Sequence, residues 1–494
     1  MFSFLRIIPA LGLLFITEMH VYAQNKNGHG QPNIIFIVAD DMGPWTLGIN
    51  KSPNAFTPAL DKLAQEGAIL DHCFANAPVC SPSRATLISG RYPSENGVPD
   101  LIGQGKPGGL SLNLKTFPEL LRSNGYTTIL VGKWHLGEYK PEYLPTKRGY
   151  DYFTGFPHGG LRSMSPKIVI DGKPEIAAGA YTPDLLTDYA MKHILEANPA
   201  ITGKPFLLSL HFWAPHANTD FPEGMEPDYK GRSWLPLRDI DKARWDTMKI
   251  KLLEPDAPNL DTPLNIRMAK EYYSSVHAVD RNVGRLMDFL EGLSLTENTI
   301  VIFTSDHGYM MGQHSLWHKG NGWWLTKDGK DPDGIYGDTR WNLYDYSLNV
   351  PCLIKWPGVI TPSTRIAKTV SFVDWFPTIM EMSATNPPSG LLIRGRSIVP
   401  LLKGDHATAW NEECYAEYVN LRSLRTTEWK LVLDFSPKKL NELYHLKKDQ
   451  QEQYNLYNSR DPEIEMQKKQ LMKRLLAHMN DIKDPLVKQF GQRL

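Results

Sequence analysis

The sequence predicts an α/β fold built on a large, mostly parallel sheet sandwiched by helices, with a smaller α+β subdomain at its C-terminal end. Two observations carry that reading. Short apolar runs alternate with amphipathic stretches of helical period, the pattern of sequential βα winding. After a stretch rich in Pro, Gly and Ser at 386–404, the pattern changes to two strand-like runs and one charged helix.

The elements follow in order. Residues 33–39 (NIIFIVA) form a buried-strand run that ends in Asp40-Asp41. Thr57-Pro58 opens a helix that Gly67 stops, and a second helix at 117–123 is closed by Gly125. A strand at 127–131 ends in Gly132-Lys133-Trp134-His135, and one at 206–212 ends in Ala214-Pro215-His216. A long amphipathic helix at 265–290 precedes the strand 299–304 (TIVIFT), which ends in Ser305-Asp306-His307-Gly308. Strands at 414–419 and 430–435 and a helix at 462–479 complete the chain, giving a main domain at 24–404 and a subdomain at 405–494. Open α/β sheets bind ligands beyond the carboxyl ends of their strands, and here four strands each deliver a polar cluster to that edge.

The 494 residues have ordinary globular composition, 41% hydrophobic and 22% charged. The 54 basic and 54 acidic residues cancel, which leaves no global field to recruit nucleic acid or an anionic membrane. Residues 1–23 read as a secretory signal: Arg6 is the positive start, 7–16 the apolar core, and Val21-Tyr22-Ala23 the cleavage site. The apolar run is too short to span a bilayer, so stable membrane insertion is not expected. The expectation is an exported protein, periplasmic before extracellular. Four cysteines, Cys73, Cys80, Cys352 and Cys414, make no disulfide framework.

The most informative stretch is Cys80-Ser81-Pro82-Ser83-Arg84, running on to Gly90. Ser81 reads as an N-cap, Pro82 as the first helical residue and Gly90 as the terminator, so Cys80 stands at a helix mouth that favours an anion. Arg84 adds a fixed positive charge one turn on. Asp40 and Asp41 would repel each other at a strand end unless a cation lay between them. With Asp306 and His307 they suit a divalent ion. Arg84, Lys133, His135, His216 and Lys319 make up a cationic set.

Cys-x-Pro-Ser-Arg resembles the signature of the type I sulfatases, of the alkaline-phosphatase-like superfamily. Gly132-Lys133-Trp134-His135-Leu136-Gly137 is similar to that family's second signature, Ala214-Pro215-His216 to its strand-end histidine, and the run from Asp306-His307-Gly308 through Gly312 and His314 to Trp317-His318-Lys319 to its metal and lysine segment. The resemblance extends through 372–378, Leu424-Arg425-Thr426 and Glu442-Leu443-Tyr444, nearly the whole chain after the signal.

The resemblance implies that Cys80 is oxidised to formylglycine (3-oxoalanine) before folding, by a formylglycine-generating, sulfatase-maturating enzyme. It implies calcium, held by Asp40, Asp41, Asp306, His307 and the modified Cys80. His307 stands where the family more often has asparagine, which leaves magnesium or manganese open. Arg84 and Lys133 position the formylglycine diol, and His135 takes the proton from its second hydroxyl. His216 with Lys319 binds sulfate, one of the two serving as acid to the leaving alcohol. One hydroxyl of the diol attacks sulfur, and deprotonation of the other expels sulfate and restores the aldehyde.

The alcohol is read elsewhere. The aromatic, turn-rich segment 320–341 follows Lys319, and its tryptophans suit stacking on sugar rings, while Phe156-Pro157-His158-Gly159-Gly160 and Arg162 are candidates for the opposite wall. The chain resembles bacterial polysaccharide-active sulfatases, which implies a sulfated carbohydrate as substrate, an algal polysaccharide such as ulvan or carrageenan, with a glycosaminoglycan as the alternative. A phosphatase or phosphodiesterase of the same superfamily would want a Ser or Thr nucleophile and a second metal. A silent carbohydrate-capture protein would have lost Cys80, Arg84, Lys133 or the metal ligands, and all are present.

Overall fold

The computed structural model describes residues 30–170, 172–219, 233–405 and 409–490. The expected signal at 1–23 lies outside the described residues. The strands are β1 (Asn33–Ala39), β2 (Ala68–Phe74), β3 (Thr127–Lys133), β4 (Tyr152–Phe156), β5 (Lys167–Ile170), β6 (Lys173–Ile176), β7 (Phe206–His211) and β8 (Thr299–Ser305). They continue with β9 (Met310–Met311), β10 (Leu316–His318), β11 (Asn321–Trp324), β12 (Thr339–Trp341), β13 (Asn349–Val350), β14 (Cys352–Lys355) and β15 (Thr364–Ser371). The C-terminal set is β16 (Cys414–Tyr418), β17 (Leu421–Arg425), β18 (Trp429–Asp434) and β19 (Glu442–His445).

An 11-stranded sheet runs β13-β2-β14-β8-β1-β7-β3-β4-β5-β6, with β15 on β2. Its centre is parallel: β1 pairs β8 and β7, and β7 pairs β3. The alternation within β1 explains its burial on both faces, since side chains along a strand point to opposite sides. Ile35, Ile37 and Ala39 join one core with Leu60, Leu186 and Leu286 of helices Pro58–Gln65, Thr182–Glu196 and Thr262–Gly292. Ile34, Phe36 and Val38 join the other with Ile88, Leu121 and Ile379 of helices Cys80–Ser89, Phe117–Ser123 and Trp375–Met382. Strands β16 to β19 form an antiparallel sheet backed by helix Pro462–Asp481, through Leu471, Leu475 and Met479 against Leu424, Leu431 and Leu443. The α/β domain, its mostly parallel sheet sandwiched by helices, with a smaller sheet-rich unit is the architecture expected.

Three local expectations are corrected. The Cys80 helix begins earlier: Val79 is the N-cap, and Cys80, Ser81 and Pro82 are its first three residues. The Ser81 hydroxyl is not capping, because it accepts the backbone N–H of Ile102 at 3.1 Å. Strand β3 runs on to Lys133, since Gly132 takes φ +108° with the His211 carbonyl 1.8 Å from where a Cβ would stand, a position only glycine fills. Segment 320–341 is not one loop: β11 and β12 complete a four-stranded sheet with β10 and β9. Trp324 packs inside at 5% exposure and Trp323 lies against the core, while Trp341 stands out at 44%.

All four cysteines are buried free thiols. Among the described residues no helix is long and apolar enough to cross a membrane.

Candidate active site

Parallel register brings the strand ends together. Ala39 lies opposite Ser305, Val38 opposite His211, and His211 opposite Gly132. The residues at or just beyond these ends, Asp40 and Asp41, Asp306 and His307, and Lys133, therefore converge on one spot. Asp306 N donates to Ala39 O at 3.0 Å and Asp41 N to an Asp306 carboxylate oxygen at 3.3 Å, which tie the β1 and β8 ends. The Cys80 helix sits above that edge, and the Ser83 hydroxyl donates to the Asp306 backbone carbonyl.

Cys80 Sγ lies 3.0 Å from Lys319 Nζ, 3.5 Å from His307 Nε2 and 3.6 Å from Asp40 Oδ1. Asp40 Oδ2 binds Lys133 Nζ at 2.5 Å and faces Arg84 Nη2 at 3.5 Å, while Arg84 Nε holds Asp306 Oδ2 at 2.9 Å. Lys319 Nζ also reaches Asp41 Oδ1 at 2.6 Å. His216 Nε2 faces Asp41 Oδ2 at 3.5 Å. Nine of the ten residues the sequence singled out thus interlock in one buried cluster. The tenth, His135, stands at its margin: its Nε2 bonds the Ile102 carbonyl at 2.9 Å, and its Nδ1 is buried without a hydrogen bond. Gly159 packs close against it, since a Cβ there would meet the His135 ring at 2.4 Å.

Electrostatics follow from this packing. Burial raises the Asp40 carboxyl, but Lys133 and then Arg84 outweigh it and hold the group below the usual range. Asp41 is pushed up to about 7 by burial, against Lys319 and His307. Burial and Asp40 would raise the Cys80 thiol, yet Lys133 and Lys319 bring it down to about 7. Burial opposes a charged His307, and Asp306 overrides it, raising the imidazole to about 9. Burial, then Lys133, pushes His135 well down.

The donor set fits a divalent cation. Asp40, Cys80, Asp306 and His307 place ligand atoms within 4.8 Å of one another, as do Asp40, Asp41, Cys80 and His216. Asp41 Oδ2 is buried without a hydrogen bond. His307 Nδ1 bonds the Gly308 carbonyl at 2.8 Å, which directs Nε2 at Cys80, Asp41 and Asp306. An oxygen-rich set with one imidazole suits calcium, magnesium or manganese.

Two residues escaped sequence reasoning. His211 bonds the Lys133 carbonyl at 3.0 Å and meets Arg84 Nη1 at 3.4 Å, and burial with the Arg84 charge holds it down to about 3. Trp213 carries Lys133 Nζ 5.2 Å from its ring centroid and the His216 ring at 4.1 Å, tilted 30°. The signal for both was their place at the end of a buried strand bound for the same edge.

A buried thiol, a fixed guanidinium, two lysines and a cation-binding set of carboxylates at the carboxyl edge of an α/β sheet define a hydrolase of anionic esters. Residues 32–384 match the family model described as Sulfatase, and residues 334–481 match one described as N-sulphoglucosamine sulphohydrolase, C-terminal. The chain belongs to the sulfatase family and is a sulfuric ester hydrolase. It is 30% identical to the steryl-sulfatase of Rattus norvegicus over 457 residues, covering 83% of this chain and 77% of that protein. It is 26% identical to the N-acetylglucosamine-6-O-sulfatase of Bacteroides thetaiotaomicron over 528 residues, with 92% and 87% covered. Its fold superposes on that of Ps i-CgsB, solved with k-i-k-neocarrahexaose, at a TM-score of 0.70 and 24% identity, covering 92% of each chain.

Proposed function

We propose that this sulfatase is exported and removes sulfate from a carbohydrate, with Cys80 matured to formylglycine by a dedicated maturating enzyme and a divalent cation, calcium by family resemblance, on the carboxylates. One observation carries the reading: Cys80 Sγ stands 3.0 Å from Lys319 and 3.5 Å from His307, within 4.8 Å of the candidate metal ligands. Hydrated formylglycine supplies one hydroxyl to attack sulfur and a second whose deprotonation expels sulfate. The cation supplies positive charge for the sulfate oxygens.

The chain's own groups divide the remaining work. Arg84, anchored on Asp306 and Asp40, and Lys133, anchored on Asp40, hold the nucleophile's position and offset its charge. His135 donates through Nε2 to Ile102 and so keeps a bare Nδ1 to accept the diol's second proton. Burial would lower Lys319, but Asp41 leads the charges that raise it, so it stays cationic and serves as a sulfate anchor. His216, with Nδ1 on the Ala217 carbonyl at 2.6 Å, is then the better acid for the leaving alcohol through Nε2.

Two carbohydrate classes are supported by different relatives. The fold neighbour solved with a neocarrahexaose supports a carrageenan-type galactan. The Bacteroides N-acetylglucosamine-6-O-sulfatase, aligned over 92% of this chain, supports a glucosamine-type glycosaminoglycan. A phosphatase or phosphodiesterase would want ligands for a second metal, whereas among the described residues both candidate ligand groups share Asp40 and Cys80, which supports one ion. The test is sulfate release by chain co-expressed with a formylglycine-generating enzyme, on carrageenan, ulvan and glucosamine 6-sulfate oligosaccharides. Turnover of one class, abolished in Cys80→Ala, is expected. Turnover of an aryl sulfate with none of these saccharides would overturn the carbohydrate assignment.

A further inference from the structure

The cluster itself is nearly closed to solvent, with Cys80 and Lys319 each 2% exposed and His216 7%. What reads the alcohol must therefore stand around the opening. Trp341 is 44% exposed and fixed beside the site by backbone: it pairs with Asn321, and the next residue, Asn342, donates its side-chain amide to the Lys319 carbonyl at 3.1 Å. Gly320 N bonds the Pro78 carbonyl at 3.0 Å, which ties this strand pair to the segment entering Cys80. The Trp341 ring meets that of Tyr418 at 5.7 Å and 50°. Tyr418 comes from the C-terminal sheet, held by Glu417 N on the Asn76 carbonyl at 2.9 Å, and packs in one cluster with Val79 and Leu343. Tyr418 is itself only 3% exposed, so its contact with Trp341 is what sets it at the edge of the opening. Asp100 lies on a loop that Ile102 pins on both sides, to the Ser81 hydroxyl at 3.1 Å and to His135 at 2.9 Å.

We propose that Trp341, Tyr418 and Asp100 form the subsite that holds the sugar ring bearing the sulfate. This rests on the carbohydrate reading above and assigns it to particular side chains. Trp341 offers an exposed indole to the C–H face of a pyranose, the Tyr418 hydroxyl and the Asp100 carboxylate offer polar partners to ring hydroxyls, and the sulfate points past them to Cys80. The three come from segments more than 70 residues apart, so the C-terminal unit contributes directly to substrate choice.

The test uses the full-length matured enzyme with two probes: 4-methylumbelliferyl sulfate, and the sulfated oligosaccharide it cleaves fastest among carrageenan, ulvan and glucosamine types. Trp341→Ala should lower kcat/KM on the saccharide by about tenfold to a hundredfold, mainly through KM. Tyr418→Phe, which keeps the ring, should give a smaller loss of about threefold to tenfold. Inhibition by inorganic sulfate should stay within about twofold in both variants, which shows an intact floor. Unchanged saccharide turnover in Trp341→Ala, or equal losses on both probes, would overturn the subsite while leaving the carbohydrate reading in place. A wild-type enzyme that cleaves the aryl sulfate and no saccharide would overturn both.

Discussion

The floor of the active site and its rim are assembled in opposite ways. The floor takes Asp40, Asp41, Lys133, Asp306 and His307 from the ends of neighbouring strands, each carboxylate already bound to a lysine or arginine, and all nearly without solvent contact. The rim takes Asp100, Trp341 and Tyr418 from a loop, a small side sheet and the C-terminal unit, and its Trp341 is 44% exposed. A buried charge is costly unless paired, so the floor tolerates little change. An exposed rim contact such as Trp341 is cheap to alter, so specificity can change there without disturbing the chemistry.

The sharpest break between the regions is expected at the nucleophile. Cys80→Ala should reduce sulfate release by more than about a thousandfold on every substrate, while circular dichroism and Tm stay near wild type. Chelation comes next. Stripping divalent ions should cut activity by more than about a hundredfold and lower Tm by about 5 °C, because Asp40, Asp41 and Asp306 lose a shared counter-ion. Calcium, magnesium and manganese added back singly identify the ion; full activity and Tm after exhaustive chelation would contradict the metal assignment.

Trp213→Leu probes how the floor is positioned. Removing the indole that carries Lys133 and His216 should lower kcat about tenfold on saccharide and aryl sulfate alike and shift the pH profile of kcat, whereas rim changes should discriminate between the two. A loss confined to the saccharide would place Trp213 with the rim instead.

The smallest effect on activity is expected at Glu417, which holds Ser94 N at 2.9 Å and Ser94 Oγ at 3.1 Å. Burial pushes its carboxyl from 4.5 up to about 7, against Arg422. The folded state thus binds this proton more tightly than the unfolded chain. Its contribution is complete below about pH 4.5 and is lost as pH rises through about 7. Glu417→Gln should recover on the order of 2 kcal/mol at pH 8 relative to pH 4.5 in urea titrations, with turnover unchanged. A pH dependence identical to wild type would show that the carboxyl is not a buried acid.

The same contrast explains what the sequence made legible. Asp40-Asp41, Lys133-x-His135 and Asp306-His307 are contiguous because each closes a buried strand, so their convergence follows from parallel winding alone. The main strands were placed to within two residues for the same reason, since uninterrupted apolar runs leave no second register. The Cys80 helix started earlier than its residues suggest because Ile102, 21 positions on, claims the Ser81 hydroxyl. His211 and Trp213 were hidden inside or beside an apolar run whose chemistry depends on Arg84 and Lys133 arriving from elsewhere. The rim was least visible: Trp323, Trp324 and Trp341 look alike in sequence, and only strand pairing decides which face outward.

The account rests on Cys80 being matured, and peptide mass spectrometry across Cys80 on protein from a maturation-competent host tests it most directly. The predicted result is a loss of roughly 18 Da at that residue, in a fraction that tracks sulfatase activity from one preparation to the next. Full activity in protein whose Cys80 is an unmodified thiol throughout would contradict it.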